Sequence, residues 1–172
     1  MNDTQGTRGH GPSRRKAAGA FLLAAVLALL PPAPVASQGA PAVVQVVQVI
    51  DGDTIEVCCL AGRREKVRYI GMNTPETQHP VKGIQSYGKE ASGANRTLVA
   101  GRSIRLEFDV DQRDKYGRLL AYVYLQDGTF VNAWLVENGY AQVMTVPPNV
   151  KYQELFLKLQ QEARTASRGL WR

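Results

Sequence analysis

The chain is 172 residues long, 44% hydrophobic, and carries 21 Lys and Arg against 15 Asp and Glu, a net charge of +6. That length gives room for one domain with a real core and a leader before it. Two cysteines, with His79 the only histidine beyond the leader, exclude a Cys/His zinc site.

Residues 1–37 are assigned as a secretory leader. Arg14-Arg15-Lys16 precedes an uninterrupted apolar run over 17–30, Pro31-Pro32 stops it, and Val35-Ala36-Ser37 offers a small-residue cleavage site. Fourteen apolar residues fall short of the roughly 20 that span a bilayer. Export is therefore favoured over an uncleaved anchor, and the expected product is secreted. Ser13-Arg14-Arg15 matches a twin-arginine signal only in part, which leaves the export route open. Beyond the leader 17 basic and 14 acidic residues remain, or +3. An excess that small suits a polyanionic partner and an ordinary solvated surface equally well.

A patternless linker over 38–42 leads into a single domain over 43–172. Residues 43–50 are rich in β-formers, with Gln45 and Gln48 interrupting the apolar run. Residues 54–60 alternate Ile55, Val57 and Cys59 against Glu56 and Cys58. Residues 64–71 return after a turn at Ala61-Gly62-Arg63-Arg64, which makes a three-stranded meander. Cys58 and Cys59 point to opposite faces of a strand, so an ordinary bridge between them is not expected. One is read as a small core residue and the other as an exposed thiol.

Residues 77–86 are polar, with Pro80 and Gly83, and are read as a mobile loop in which Lys82 is either a substrate contact or merely solvated. A helix is predicted over 87–99, with Ala91, Ala94 and Leu98 on its apolar face and Gly101 past its end. Strands over 103–110 and 118–125 pair across a turn at 111–117. Asp127-Gly128 turns the chain into a short helix carrying Val131, Leu135 and Val136, closed by Asn138-Gly139. After Pro147-Pro148, Asn149 is read as the N-cap of a last helix whose buried face holds Tyr152, Leu155, Phe156, Leu159 and Ala163. Trp171 pins the end. The chain has no internal repeats. The order matches an α+β, mainly β class: an OB-fold, a five-stranded Greek-key barrel with one helix between strands 3 and 4 and two C-terminal helices. Pattern alone leaves the topology open.

The chemistry gathers at one hairpin. DGDT at 51–54 and VRYIGMNTPE at 67–76 flank it, and an antiparallel return brings Asp53 near residues 73–76. Carboxylates without Cys or His beside them suit a hard cation such as Ca²⁺, and Arg68 adds donors for a phosphate. Each residue also has a plainer reading. Asp53 fits an Asx-turn, Glu76 an exposed loop carboxylate, and Arg68 and Arg118 the surface of a strand.

Five segments together resemble the staphylococcal nuclease (thermonuclease) family over residues 43–172. They are DGDT at 51–54, RYIGMNTPE at 68–76, HPVKGIQSYGKEAS at 79–92, DKYGR at 114–118 and RGLW at 168–171. The resemblance implies the OB-fold and a calcium-dependent nuclease. Such an enzyme cuts DNA and RNA and leaves 3′-phosphates; backbone recognition predicts little sequence preference and a preference for single strands, and a monomer is expected. It implies Asp53, Asn73 and the Thr74 carbonyl as Ca²⁺ ligands, with Asp51 nearby but not ligating. Glu76 would contact the attacking water, Arg68 and Arg118 would grip the scissile phosphate, and Lys115 and Tyr116 would contact a terminal phosphate. Two departures stand out. Asn73 replaces the family's second calcium carboxylate, and a gap-free alignment puts Thr145 and Pro147 where the type enzyme packs two tyrosines against its nucleotide. The rival reading is a catalytically weak or silent nucleic-acid-binding module on the same barrel. The retained Asp53, Glu76, Arg68 and Arg118 favour the enzyme.

Overall fold

The computed structural model describes residues 42–60, 62–75 and 87–172, without the side chains of Cys59 and Leu60. The expected leader, residues 38–41 of the linker, Glu76, and the expected loop over 77–86 with His79 and Lys82 lie outside the described residues. In chain order the elements are β1 (Ala42–Val49), β2 (Thr54–Leu60), β3 (Arg63–Tyr69), β4 (Met72–Asn73), α1 (Gly88–Val99), β5 (Ser103–Glu107) and β6 (Leu119–Leu125). Then come α2 (Val131–Glu137), β7 (Gln142–Val143), α3 (Gln153–Thr165) and a 3-10 turn over Gly169–Trp171.

Five strands close into a barrel in the order β1-β2-β3-β6-β5, with β3 and β6 parallel and β4–β7 a separate two-stranded pair. This is the OB-fold arrangement that the sequence order pointed to, with α1 between the third and fourth barrel strands and α2 and α3 after the last. β1 shows why its apolar run was irregular. Val44 and Val46 face inward, the register shifts between Val46 and Gln48, and Val49 is buried again. One extra residue in a bulge resets the two-residue period.

Ile55, Val57, Val67, Ile104, Leu106 and Val123 are fully buried in the barrel, and Leu135 and Val136 of α2 join the same core. β6 is buried on both faces, because Tyr122 and Tyr124 on its outer side pack with Phe130, Tyr152 and Phe156 in a second cluster. Gly71 sits between β3 and β4 at φ +81°, and a Cβ there would lie 2.4 Å from the Phe156 ring. Only glycine fits that approach, so α3 can close on the end of β3.

Three local expectations are corrected. Leu155 is 39% exposed, so the inward face of α3 is Phe156 and Ala163, with Leu159 half-buried. Asn149 does not cap α3, which begins after Tyr152. Cys58 is disulfide-bonded, where no bridge was expected and the two cysteines were read as a small core residue and an exposed thiol.

Candidate active site

The site begins with strand register. β2 pairs with β3 so that Thr54 lies opposite Arg68, and the Tyr69 amide donates to the Asp53 carbonyl at 2.9 Å. Asp53 is therefore fixed where β3 leaves the barrel. The Asx-turn is made by Asp51, not Asp53, because the Asp53 amide donates to Asp51 Oδ1 at 3.0 Å. That frees the Asp53 carboxylate to reach across the hairpin. Its Oδ2 accepts from the Thr74 amide at 2.8 Å and the Thr74 hydroxyl at 3.0 Å. Its Oδ1 accepts from the Thr54 hydroxyl at 3.1 Å and meets Arg68 Nη1 in an ion pair.

Asn73 completes the cluster. Arg68 Nη2 donates to Asn73 Oδ1 at 2.7 Å, and Asn73 Nδ2 donates to the Thr74 carbonyl at 3.2 Å. The three expected ligands, Asp53, Asn73 and Thr74, are thus gathered, with the Arg68 guanidinium bridging two of them. Arg68 is buried, at 9% exposure, rather than on the strand surface. Gly52 is equally constrained, since a Cβ there would lie 2.7 Å from the Thr74 side chain. The Asp51 carboxyl is pushed up to about 6, first by burial and then by the Asp53 carboxylate beside it. Two carboxylates share one arginine, and the locus is short of positive charge.

That donor set can be tested against a metal. Carboxylate, amide and carbonyl oxygens converge without a nitrogen or sulfur ligand, and among the described residues no three His, Cys, Asp or Glu side chains cluster. Oxygen-only ligation fits Ca²⁺ and not zinc. Protein donors already engage these oxygens, so a cation would have to take the place of Arg68 on Asp53 Oδ1 and Asn73 Oδ1.

The second half of the site is the hairpin between β5 and β6. Asp114 organises its turn, for its Oδ1 accepts from the amides of Tyr116 at 2.9 Å and Arg118 at 3.0 Å. Its Oδ2 accepts from Arg118 Nε at 2.7 Å. Burial pushes the Asp114 carboxyl up, but these bonds, the Arg118 guanidinium foremost, outweigh it and hold the group below its usual range. Tyr116 is 73% exposed, and its ring centre lies 5.0 Å from Lys115 Nζ and 5.6 Å from the Arg118 guanidinium. From the β3 side, Glu65 braces the hairpin by taking both ends of Arg113 at 3.0 and 3.1 Å.

Parallel pairing joins the halves. Arg68 lies opposite Leu120, two residues from Arg118. Arg68, Lys115, Tyr116 and Arg118 line one cleft of about 550 Å³. The opposite wall is apolar, with Met144, Val146 and Pro147. Of the two positions that the gap-free alignment marks, Pro147 lines this cleft and Thr145 does not.

A model of the staphylococcal nuclease homologue family matches residues 66–172. The chain is 44% identical over 124 residues to the thermonuclease of Staphylococcus intermedius, covering 72% of this chain and 73% of that one. The chain belongs to the staphylococcal nuclease family. It is also 46% identical over 126 residues to endonuclease YncB of Bacillus subtilis (strain 168), and equally to the SPbeta prophage-derived endonuclease YokF of that organism. Each match covers 72% of this chain, which spans 59% of YncB and 42% of YokF.

Within the staphylococcal nuclease barrel, Asn95 and Asn149 support the site although the sequence did not mark them as functional. Asn95 Nδ2 donates to the Asp51 carbonyl at 3.0 Å, and its Oδ1 accepts from the Tyr69 hydroxyl at 3.0 Å, which ties α1 to the acidic turn. The signal was present. Ala91, Asn95 and Val99 recur every four residues on the buried face of α1, and an amide at such a position needs partners.

Proposed function

We propose that the chain is a secreted, calcium-dependent nuclease acting as a monomer. It hydrolyses phosphodiester bonds of DNA and RNA with little sequence preference and leaves 3′-phosphates. The observation that carries the reading is the meeting of Arg68 and Arg118 on one cleft, while Arg68 also holds Asp53 and Asn73. The names of the relatives, thermonuclease and endonuclease, support it.

Attack on a phosphodiester adds negative charge to the non-bridging oxygens. Preorganised guanidinium forks at that position stabilise the charge more than they stabilise the ground state. Arg118 is held by Nε on Asp114 and so is ordered before the substrate arrives, whereas Arg68 would be released from Asp53 and Asn73 by the cation and turned to the phosphate. Asp53, Asn73 and the Thr74 carbonyl would hold Ca²⁺, which supplies a positive charge beside the phosphate and acidifies a bound water. Glu76 is assigned to the attacking water, and Lys115 and Tyr116 to a terminal phosphate. Recognition through phosphates explains weak sequence preference, and an exposed backbone favours single strands.

Single-stranded DNA incubated with the protein in calcium, and again in chelator, tests this. Cleavage in calcium alone, with 3′-phosphate ends by mass spectrometry, is the expected result. Binding without cleavage in any divalent cation would instead establish the silent nucleic-acid-binding module. Secreted material should begin near Gln38 by amino-terminal sequencing; a cell-bound product that starts at Met1 would overturn the secretory assignment.

A further inference from the structure

We infer that Asn149 is a positioning residue that sets the separation of the two cleft walls and thereby seats the base-bearing part of the substrate. The inference rests on the nuclease reading above. Asn149 is a polar side chain at 5% exposure, and both ends of its amide are spent on one residue 38 positions away. Its Oδ1 accepts from the Asp111 amide at 2.8 Å, and its Nδ2 donates to the Asp111 carbonyl at 2.8 Å. The side chain thus copies a peptide group and makes the paired bonds of an antiparallel ladder.

What it joins matters. Asp111 starts the hairpin that carries Lys115, Tyr116 and Arg118. The Asn149 amide donates to the Val146 carbonyl at 3.1 Å, so its main chain closes the turn of the apolar wall. That wall is tied at its near end, where the Met144 amide donates to the Gly71 carbonyl at 3.0 Å. Its far end is tied to the cationic hairpin through the Asn149 side chain. Asp111, Asn149 and both walls line the same cleft.

The chemistry assigns each wall a part of the substrate. Cations take phosphate, and Met144 and Val146, 44% and 59% exposed, offer an apolar face with no charge to pair. A flat base fits against such a face by dispersion, which is short-ranged. A gap of about 0.5–1 Å forfeits roughly a quarter to a half of the contact well. Loosening the tie at Asn149 therefore weakens base contact while leaving the arginines in place. The start of α3 has separate anchors, for Lys151 and Tyr152 each bond Glu107, at 2.7 and 2.8 Å. Loss of the Asn149 amide does not by itself release that helix.

The test compares the full chain with Asn149→Ala on two single-stranded oligonucleotides, one normal and one abasic at the scissile position. The expected result is a KM about tenfold higher for the normal strand, with kcat changed less than about threefold, as for lost uniform binding. KM for the abasic strand should stay the same, since it has no base to misplace. A merely structural role would reduce active protein and move both strands by one factor, and that outcome overturns the inference. Should Asn149→Ala fail to fold by circular dichroism, Asn149→Ser, which is small, neutral and able to bond water in the gap, replaces it and should show the same base-selective rise. If the parent chain cleaves neither strand, the nuclease reading fails. The same pair is then titrated by fluorescence anisotropy, and a Kd change in the base-bearing strand alone supports the role of Asn149. An equal change, or no binding of either strand, overturns it.

Discussion

Asp53 and Asp114 each hold one arginine of the cleft, in different surroundings. Asp53 and Arg68 are 7% and 11% exposed at the side chain, and the Asp53 carboxylate is bonded to Thr74, 21 residues away. Asp114 and Arg118 are 16% and 30% exposed, and the partners of Asp114 are Tyr116 and Arg118 within the same turn. The first pair is buried where β3 meets the cleft, and the second belongs to a hairpin that closes on itself. A change at the first should cost fold and chemistry together. A change at the second should cost chemistry alone.

The sharpest way to break the comparison is Asp53→Ala. It strands a buried guanidinium and leaves the Thr74 amide and hydroxyl without their acceptor. Removing one partner of a buried pair typically costs about 3–5 kcal/mol. Urea denaturation should show a loss of that order, with calcium-dependent activity abolished in the fraction that stays folded. A loss under about 1 kcal/mol would place the pair with surface ion pairs, and the contrast with Asp114 would vanish.

Arg118→Ala tests the other side. Turnover should fall about 10²-fold or more, as for other lost charge-stabilising donors. Stability in the same denaturation should move by less than about 1 kcal/mol. Near-normal turnover at saturating calcium would remove Arg118 from the chemistry.

The same contrast explains what the sequence could show. The barrel strands were legible because their patterns are local: over 54–60 one buried face enforces alternation, and over 119–125 a continuous apolar run matches a strand buried on both faces. The hairpin motif DKYGR was recognised through its resemblance to the family, and the bonds that shape it stay within five residues. Long-range partners were not legible. Asn149 follows two prolines and precedes a helix, which is the setting of an N-cap, yet its amide is spent on Asp111. Arg68 looked like a strand surface residue because nothing in 63–69 reveals that Asp53 and Asn73 enclose it. The disulfide at Cys58 ran against a rule for regular strands, in a stretch where the β2–β3 register shifts between Val57 and Leu60.

The smallest expected effect lies where the buried pair meets the departure from the family. Asn73→Asp adds a formal charge at an oxygen that now accepts from Arg68 Nη2 at 2.7 Å. Three terms follow. A carboxylate attracts Ca²⁺ more than an amide oxygen does. It also strengthens the hold of Arg68, which the cation must displace. And it adds repulsion toward Asp51 and Asp53, which a bound cation relieves. The first and third favour binding, and the second opposes it. A charge pair at contact near a surface is worth at most about 4 kcal/mol before desolvation. After the opposing term a gain of roughly 1 kcal/mol, about fivefold in affinity, is expected. Saturating calcium displaces Arg68 in both proteins and the Asp114 grip on Arg118 is untouched, so turnover at saturating calcium should change less than the calcium midpoint. Calorimetric titration of calcium into both proteins, beside activity titrations, measures the two separately. An unchanged midpoint would mean that Asn73 serves Arg68 alone, and that the buried pair rather than the metal is what this side chain was placed to hold.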